Sequence, residues 1–273
     1  ITNVGHSHIG RLGSLENIAK AKTEILKFLS QTNGVAFLYG DDALLLEYAK
    51  KICSDANKIK LFGEKKHYEI LDMRTDAMTF VYKKDTYKIK LPGKHNVYNA
   101  SCAIEIAQNL GMSYKDIQKG LLNYEPLTGR WQETRLPQGA FVINDSYNSN
   151  PDSVKAAVSA VLETYKTQSI ILVIGDMLEL GDYEEKLHRH IGQWLSGKNI
   201  FKVITVGERA EFIAKELKSS TVPVQVTYSP EEASKYLIKE NLTDSIILLK
   251  ASRAIELEKV IHCLDVEVGG IKN

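Results

Sequence analysis

The sequence predicts an α/β protein with two domains. From Ala140 onward, short apolar segments alternate with amphipathic helical segments, a pattern typical of βαβ units in a mostly parallel sheet. The chain has 273 residues, a length that usually corresponds to one large domain or two ordinary ones. The character of the sequence changes between Pro126 and Pro137. We therefore expect one domain over residues 1–127 and a second over residues 128–273.

The composition excludes several classes of protein. A hydrophobic share of 44% and a charged share of 25% are typical of a soluble globular chain. The formal net charge of +1 argues against a dedicated nucleic-acid binder. No apolar stretch is long enough to span a membrane, and no signal peptide opens the chain. The cysteines form no C-x-x-C pair, so we expect a reducing, cytoplasmic location without disulfides or zinc.

The first helix is predicted to begin after Ser14 and to end near Ser30. Its apolar residues recur at helical spacing: Leu15, Ile18, Ile25 and Leu29. Lys22 falls on this apolar stripe, where an ammonium is costly unless it is paired or neutralised. The alternative is a lysine whose ammonium reaches past the helix edge into water. Periodicity alone favours neither interpretation.

Further elements of the first domain follow from short local signals. Strands are predicted over 34–39, 59–62 and within the alternating segment 68–91. A helix follows Pro92 and Gly93 and ends at Leu110, before Gly111. Asn96 and Asn99 lie on its first turn, which by itself is compatible with an ordinary capped helix. A capping box at 113–116 opens another helix.

The second domain has its most polar segment at the first strand-to-helix turn. Strands are predicted over 140–144, 169–174, 201–206, 222–227 and 245–249. Asp145 follows the first of these strands, and Asn150 and Pro151 suit the N-cap and the first position of the next helix. One Asp, one Tyr and two Asn before a single helix favour a polar ligand over a merely well-capped turn.

The other strands of this domain also end in polar segments, at 175–181, 207–208 and 250–253. Parallel strands bring their carboxyl ends to one edge of the sheet, which is where open α/β sheets bind ligands. Ordinary loop polarity explains any one of these segments better than all of them together. We expect His188 and His190, which lie in a later helix, on the protein surface.

These segments resemble motifs of the Mur ligase family of cell-wall synthesis. The turn from Asp145 to Ser153 is similar to the D-x-Y-N-x-N-P-x-S signature of the members that add D-alanyl-D-alanine. The run at 175–181 resembles their G-D-M-x-E-L-G motif, and 250–253 resembles K-G-S-R with Ala251 in place of glycine. The first domain resembles the central ATPase domain through A-K-x-K-x-E-I at 19–25 and G-x-H-N-x-x-N-A at 93–100.

The resemblance implies a fold and a reaction. Residues 1–127 would be the latter part of the central ATP-binding domain, and residues 128–273 a Rossmann-like C-terminal domain. The reaction would join D-alanyl-D-alanine to UDP-N-acetylmuramoyl-tripeptide, using ATP and an acyl-phosphate intermediate, for peptidoglycan synthesis. We expect a monomer with these small-molecule partners, no nucleic acid and no membrane span.

The resemblance also implies roles for individual residues. His8 and Lys22 would be catalytic ligands of Mg²⁺, with Lys22 carbamylated. ATP would be bound by Asn96, Asn99, Arg130 and Asp145, the asparagines at the adenine, Arg130 at a phosphate and Asp145 at the ribose. The incoming dipeptide would lie near Tyr147, Asn148 and Asn150. Burial of Lys22 would favour the neutral amine, which is the form that reacts with carbon dioxide.

One expected motif is missing from these residues. The phosphate-binding loop G-x-x-x-x-G-K-[ST] does not occur, and the chain begins at Ile1 without Met. We therefore expect a fragment that lacks the main triphosphate cradle and is inactive alone. Two alternatives stay open: a related folylpolyglutamate or cyanophycin-type ligase, and a non-catalytic module that binds nucleotide or peptide.

Overall fold

The computed structural model describes residues 1–74, 77–137 and 139–269. The chain divides into two compact units, Ile1–Glu125 and Pro126–Asn273, called here the first and second units. The sequence puts the junction between residues 127 and 128, in the same linker. Each unit has a hydrophobic core of its own. In the described part of the chain, no helix is both long and apolar enough to cross a membrane.

The first unit contains a two-stranded parallel sheet and a three-stranded antiparallel sheet. Its helices are α1 (Ile9–Leu12), α2 (Leu15–Thr23), α3 (Ile25–Ser30), α4 (Ala43–Ile52), α5 (Lys94–Asn109) and α6 (Tyr114–Leu122). Its strands are β1 (Ala36–Tyr39), β2 (Ile59–Phe62), β3 (Tyr68–Met73), β4 (Met78–Tyr82) and β5 (Asp85–Ile89). β1 pairs with β2, and the antiparallel order is β3-β4-β5. The predicted strands of this region are therefore present.

The predicted helix from Ser14 to Ser30 is divided in two. Ser14 caps α2 as expected, by accepting the N–H of Asn17. The Thr23 hydroxyl donates to Ala19 O at 2.7 Å, a back-bond that bends helices, and α2 ends at this residue. The helical phase then changes: Ile25 is 62% exposed, whereas Leu26 is buried. The prediction that Ile25 belongs to the buried stripe was wrong.

The second unit is an α/β sandwich around one six-stranded sheet. Its strands are β6 (Gln132–Arg135), β7 (Phe141–Asn144), β8 (Ser169–Gly175), β9 (Lys202–Val206), β10 (Val224–Thr227) and β11 (Ser245–Lys250). Its helices are α7 (Pro151–Thr164), α8 (Glu184–Leu195), α9 (Glu211–Leu217), α10 (Pro230–Ile238) and α11 (Lys259–Gly269). The strand order is β10-β9-β8-β11-β7-β6, and all neighbours are parallel except β6 and β7. The predicted α/β class with a mostly parallel sheet is confirmed.

β11 is the strand that organises this sheet. It lies between β8 and β7, and every one of its residues is buried. A continuous apolar strand suits this position, because helices cover both faces of a parallel sheet. The antiparallel edge strand β6 has a polar sequence that is mostly exposed, and it was not predicted. Its only sheet neighbour among the described residues is β7, which fixes Gln132 opposite Asn144.

Candidate functional site

The carboxyl ends of the parallel strands bring the predicted polar segments of the second unit together. Lys250 ends β11, Asp145 follows β7, and Asp176 follows β8. The N–H of Asp145 donates to Leu249 O, and the N–H of Ser252 donates to Asp176 O, so the segments after three adjacent strands are joined by backbone hydrogen bonds. The polar segments therefore meet at one edge of the sheet, as the sequence predicted.

Lys250 is the central charge of this edge. Its side chain is 2% exposed, and its Nζ lies 3.1 Å from Asp145 Oδ2. The same ammonium donates to the backbone oxygen of Asp145 at 3.0 Å and to that of Asn148. Burial lowers the pKa of Lys250, and the adjacent Asp145 carboxylate opposes that shift by favouring the charged form. A fully buried lysine is thus tied to the turn that follows β7.

The turn from Asn144 to Asn150, called here the signature turn, is also held by its own side chains. Asn144 Oδ1 accepts from the N–H and the hydroxyl of Ser146, at 3.2 and 2.6 Å. The N–H of Ser149 donates to Asn148 Oδ1 at 2.8 Å. Asn150 caps α7 in a reciprocal capping box with Ser153, as the sequence predicted for its cap position. The side chains of the turn thus form hydrogen bonds within the turn itself.

Arg130 and Tyr147 are brought into contact within the second unit. The Arg130 guanidinium lies over the Tyr147 ring, with Cζ 4.4 Å from the ring centroid. The N–H of Tyr147 donates to Gly129 O at 3.0 Å. Gly129 has a φ of +72°, and a Cβ there would lie 3.2 Å from the Tyr147 nitrogen. Glycine at this position allows the chain to approach closely enough for the cation–π contact.

The segment after β8 is built around two buried polar groups. Asp176 Oδ1 accepts the N–H of Ala210 at 2.7 Å. His188 is fully buried, and its Nε2 accepts the N–H of Met177 at 3.0 Å, while Nδ1 donates to Glu184 O at 2.7 Å. Burial lowers the pKa of His188, which favours this neutral tautomer. The prediction that His188 lies on the surface was wrong; His190 is exposed.

In the first unit, Asn96 and Asn99 line a cavity of about 470 Å³. Three alanines on one face of α5 and a glycine on α6 form much of its wall: Ala100, Ala103, Ala107 and Gly120. Because these side chains are small or absent, the two helices leave a largely apolar slot between them, which Asn96 and Asn99 also line. Asn96 Nδ2 donates to Pro92 O at 2.7 Å, and Asn96 Oδ1 accepts from Asn99 Nδ2 at 3.5 Å. An amide oxygen has two lone pairs, so Oδ1 can accept one further hydrogen bond.

Lys22 and His8 occupy a different part of the first unit. Lys22 is half-buried, and its Nζ donates to Asn3 O at 2.8 Å and to Asn3 Oδ1 at 3.3 Å. Burial lowers the pKa of Lys22, and the charge of Asp42 partly offsets this. Asp42 itself caps α4 and accepts the N–H of Val4. His8 precedes α1 in a left-handed conformation with a φ of 62°.

The side chains of this region do not by themselves form a magnesium site. Across residues 1–74, 77–137 and 139–269, no group of three or more His, Cys, Asp or Glu side chains is arranged to hold a metal ion. Mg²⁺ prefers oxygen ligands, whereas Lys22 as an amine offers only nitrogen. A fit would require Lys22 to carry an oxygen-bearing group.

Comparison with known families separates the chain as the structure does. The Mur ligase middle domain family matches residues 1–107. The family described as Mur ligase, glutamate ligase domain matches residues 129–253. The chain belongs to the Mur ligase family. In this chain the middle-domain match precedes the glutamate-ligase-domain match.

Curated relatives named as ligases match nearly the whole of this chain. The chain is 36% identical over 272 residues to the UDP-N-acetylmuramoyl-tripeptide–D-alanyl-D-alanine ligase of Bacillus subtilis (strain 168). It is 29% identical over 277 residues to the ligase of the same name from Escherichia coli (strain K12). Each match covers 97% of this chain, and the chain spans only 58% to 59% of the relatives' length.

Solved Mur ligase structures agree with the fold. MurF from Acinetobacter baumannii superposes with a TM-score of 0.85 at 27% identity, covering 97% of this chain and 59% of that one. MurF from Thermotoga maritima in complex with ADP has a TM-score of 0.80 at 22% identity, covering 98% of this chain and 61% of that one. The prediction of Mur ligase central and C-terminal domains is therefore confirmed.

Several functional candidates were missed or incompletely described from the sequence. The most important is Lys250: its K-A-S-R segment stands out in the sequence, but its partner Asp145 lies 105 residues away in the chain. Both segments lie at the carboxyl ends of predicted strands, and this was the signal in the sequence that could have indicated their contact. Ala251 does not need glycine's freedom, since its φ is not positive and its Cβ packs against Gly175.

Proposed function

We propose that this chain forms part of an ATP-dependent ligase that adds D-alanyl-D-alanine to UDP-N-acetylmuramoyl-tripeptide. The observation that carries the proposal is the signature turn. Its Asp145, Tyr147 and Asn148 lie at the carboxyl edge of the parallel sheet, where ligands of such folds bind. Curated relatives that match 97% of this chain bear the name of this reaction.

ATP is the proposed cofactor of the first step. The slot beside Asn96 and Asn99 has the volume and apolar lining of a small-molecule site. Asparagine amides can both donate to and accept from a purine edge, which suits the adenine of ATP. Arg130 and Asp145 would contact the phosphates and the ribose. The solved relative with ADP supports a nucleotide as a ligand of this fold.

The proposed reaction has two transfers. A carboxylate oxygen of the tripeptide attacks the γ-phosphorus of ATP, ADP leaves, and an acyl phosphate forms. The amine nitrogen of D-alanyl-D-alanine then attacks the acyl carbon, phosphate leaves, and the amine's surplus proton passes to water. Tyr147, Asn148 and Asn150 would orient the dipeptide, so the contribution of the second unit is mainly positioning.

Lys22 is the proposed site of carbamylation. Its neutral amine would attack carbon dioxide, form an N–C bond and release a proton to water, leaving a carbamate. Burial of Lys22 and the neutral Asn3 oxygens around its Nζ support this chemistry. With His8, the carbamate oxygens would hold Mg²⁺, which when bound would neutralise charge on the transferring phosphoryl group.

The first test measures phosphate release by the protein expressed from its natural start codon. ATP, Mg²⁺ and the UDP-muramoyl tripeptide are supplied with and without D-alanyl-D-alanine. Release that requires the dipeptide is the expected result. Release only with another amine acceptor would keep the ligase class and discard this substrate. No release with any acceptor would favour the non-catalytic binding module.

Two variants test the residues assigned to the cofactors. Lys22→Ala is expected to abolish phosphate release, with partial rescue by a short carboxylic acid. Full activity of this variant would remove Lys22 from the mechanism.

Ala103→Phe fills the slot and is expected to raise the KM for ATP. Ala56→Phe is the matched control, because Ala56 is also exposed in the first unit but lies outside the slot. Equal KM values for both variants would contradict the adenine assignment.

A further inference from the structure

Lys250 has a set of contacts that the proposed reaction does not explain. It is 2% exposed, and its ammonium has three acceptors: Asp145 Oδ2, Asp145 O and Asn148 O. An ammonium has three N–H donors and no acceptor, so donors and partners are matched in number. A neutral amine has only two N–H bonds, and its lone pair would face the third oxygen. The geometry therefore selects the charged form of a buried lysine.

One oxygen of the Asp145 carboxylate faces the Lys250 ammonium: Oδ2 lies 3.1 Å from Nζ. The Asp145 side chain is 18% exposed, so it reaches the surface that a ligand would approach. A charge-assisted bond to one oxygen fixes the orientation of the whole carboxylate.

The two carbonyl contacts fix the backbone on both sides of Tyr147. Asp145 O and Asn148 O bracket Ser146 and Tyr147, and both oxygens converge on one Nζ. Tyr147 is 50% exposed and stacks with Arg130. Moving the Lys250 ammonium would therefore disturb the carboxylate of Asp145 and the exposed ring together.

We infer that Lys250 is the positioning residue of the signature turn: its ammonium fixes the Asp145 carboxylate and the 145–148 backbone before the ligands arrive. This inference rests on the proposed function, because it assigns to Lys250 the arrangement of that ligase's own binding side chains. A lysine that serves only the core would instead affect stability without selectively affecting Asp145.

The decisive experiment is a double-mutant cycle in the protein expressed from its natural start codon. Lys250→Met, Asp145→Asn and the double variant are compared by dipeptide-dependent phosphate release. Each single variant is expected to lower kcat/KM by about tenfold or more, since small misplacements of binding groups are costly. Because Lys250 acts through Asp145, the kcat/KM of the double variant is expected to lie within about twofold of that of the less active single variant. The inference would be overturned if the two losses of kcat/KM multiplied in the double variant. A Lys250→Met variant with wild-type kcat/KM would overturn it as well.

Lys202→Met is the matched control. Lys202 is also a lysine of this sheet, but it pairs with Glu240 and begins β9, at the opposite end of the strand from the ligand edge. We expect its kcat/KM to stay within about twofold of the wild type. An equal loss in the Lys202→Met and Lys250→Met variants would mean that any lost lysine of the sheet has this effect, and would overturn the inference.

Amide hydrogen exchange separates this inference from the proposed function. If the wild-type protein shows no dipeptide-dependent phosphate release, the proposed ligase is refuted. Amide hydrogen exchange would still report on the signature turn. In the Lys250→Met variant, the Tyr147 and Ser149 amides are expected to exchange about tenfold faster or more, while β8 keeps its protection. Unchanged turn amides, or equally accelerated exchange in β8, would refute the positioning role.

Discussion

Lys22 in the first unit and Lys250 in the second are both withdrawn from water, and burial lowers the pKa of each. Their partners differ. Lys22 donates to a carbonyl and an amide oxygen of Asn3, which are neutral. Lys250 faces the Asp145 carboxylate as well as two carbonyls. A carboxylate stabilises an ammonium far more than neutral oxygens do.

The difference teaches that burial alone does not decide what a lysine can do. Lys22 has only neutral hydrogen-bond partners, and the charge of Asp42 offsets only part of the effect of burial, which suits an amine that reacts. A carboxylate and a complete set of acceptors hold Lys250 in its charged form, which suits a residue that positions others. The two lysines can be distinguished by the stability of variants that break their contacts and by their chemical reactivity.

The largest expected effect comes from removing the acid of the Lys250 pair. Asp145→Ala leaves a buried ammonium without its counter-charge, and should destabilise the second unit by about 3–5 kcal/mol. Lys250→Met replaces the lysine with an apolar chain of similar length and should cost less, because the remaining carboxylate reaches water. Urea unfolding followed by tryptophan fluorescence measures the free energy of unfolding of both variants, since Trp131 and Trp194 both lie in the second unit. A larger loss for Lys250→Met would contradict the charge argument.

A smaller effect is expected from the packing that seats the end of β11. A Cβ at Gly175 would lie 2.7 Å from the Ala251 Cβ and 3.1 Å from Ile255 Cγ2. Gly175→Ala should therefore cost about 1–3 kcal/mol through overpacking. Adding Ala251→Gly should recover most of that loss in the same unfolding assay. Gly197→Ala is the control, because a Cβ at Gly197 would have no atom within 4 Å among the described residues; a cost equal to that of Gly175→Ala would refute the packing account.

The cap of α7 should contribute less again. Asn150→Ala removes the acceptor for the Ser153 N–H and should cost about 1 kcal/mol of unfolding free energy. Asn150→Asp keeps an acceptor and should retain stability. The same variant tests the proposed dipeptide contact: an increased KM for D-alanyl-D-alanine at unchanged stability would mean that the amide nitrogen binds ligand. An unchanged KM would restrict Asn150 to capping.

The last prediction concerns reactivity and involves no change in sequence. Because the pKa of Lys22 is lowered, a larger fraction of its amine is neutral at a given pH than in an ordinary lysine. Limited acetylation at increasing pH, read by peptide mass spectrometry, should give Lys22 a midpoint below the ordinary lysine value. Lys20, which is exposed, provides the reference amine. Lys250 should stay unmodified because it is buried. A Lys22 midpoint at or above the ordinary value would contradict the account.

Local signals in the sequence predicted much of this architecture. The apolar runs gave the positions of β7 to β11 within a few residues, and Asn150 and Pro151 marked the start of α7. Such signals are readable because capping and strand periodicity involve neighbours in the chain. The helix after Ser14 shows their limit: α2 ends at Thr23, whose hydroxyl bonds back to Ala19 O, and Ile25 is exposed to solvent.

By itself, the sequence determined the α/β class, the two-domain order and the gathering of polar segments at one sheet edge. Only the tertiary structure decided which of those residues meet: Lys250 with Asp145, Arg130 with Tyr147, and His188 with Met177. The physical reason is the range of the interactions. Periodicity and caps are set by nearby residues, whereas a buried ion pair across 105 positions exists only after the parallel strands have placed their ends side by side.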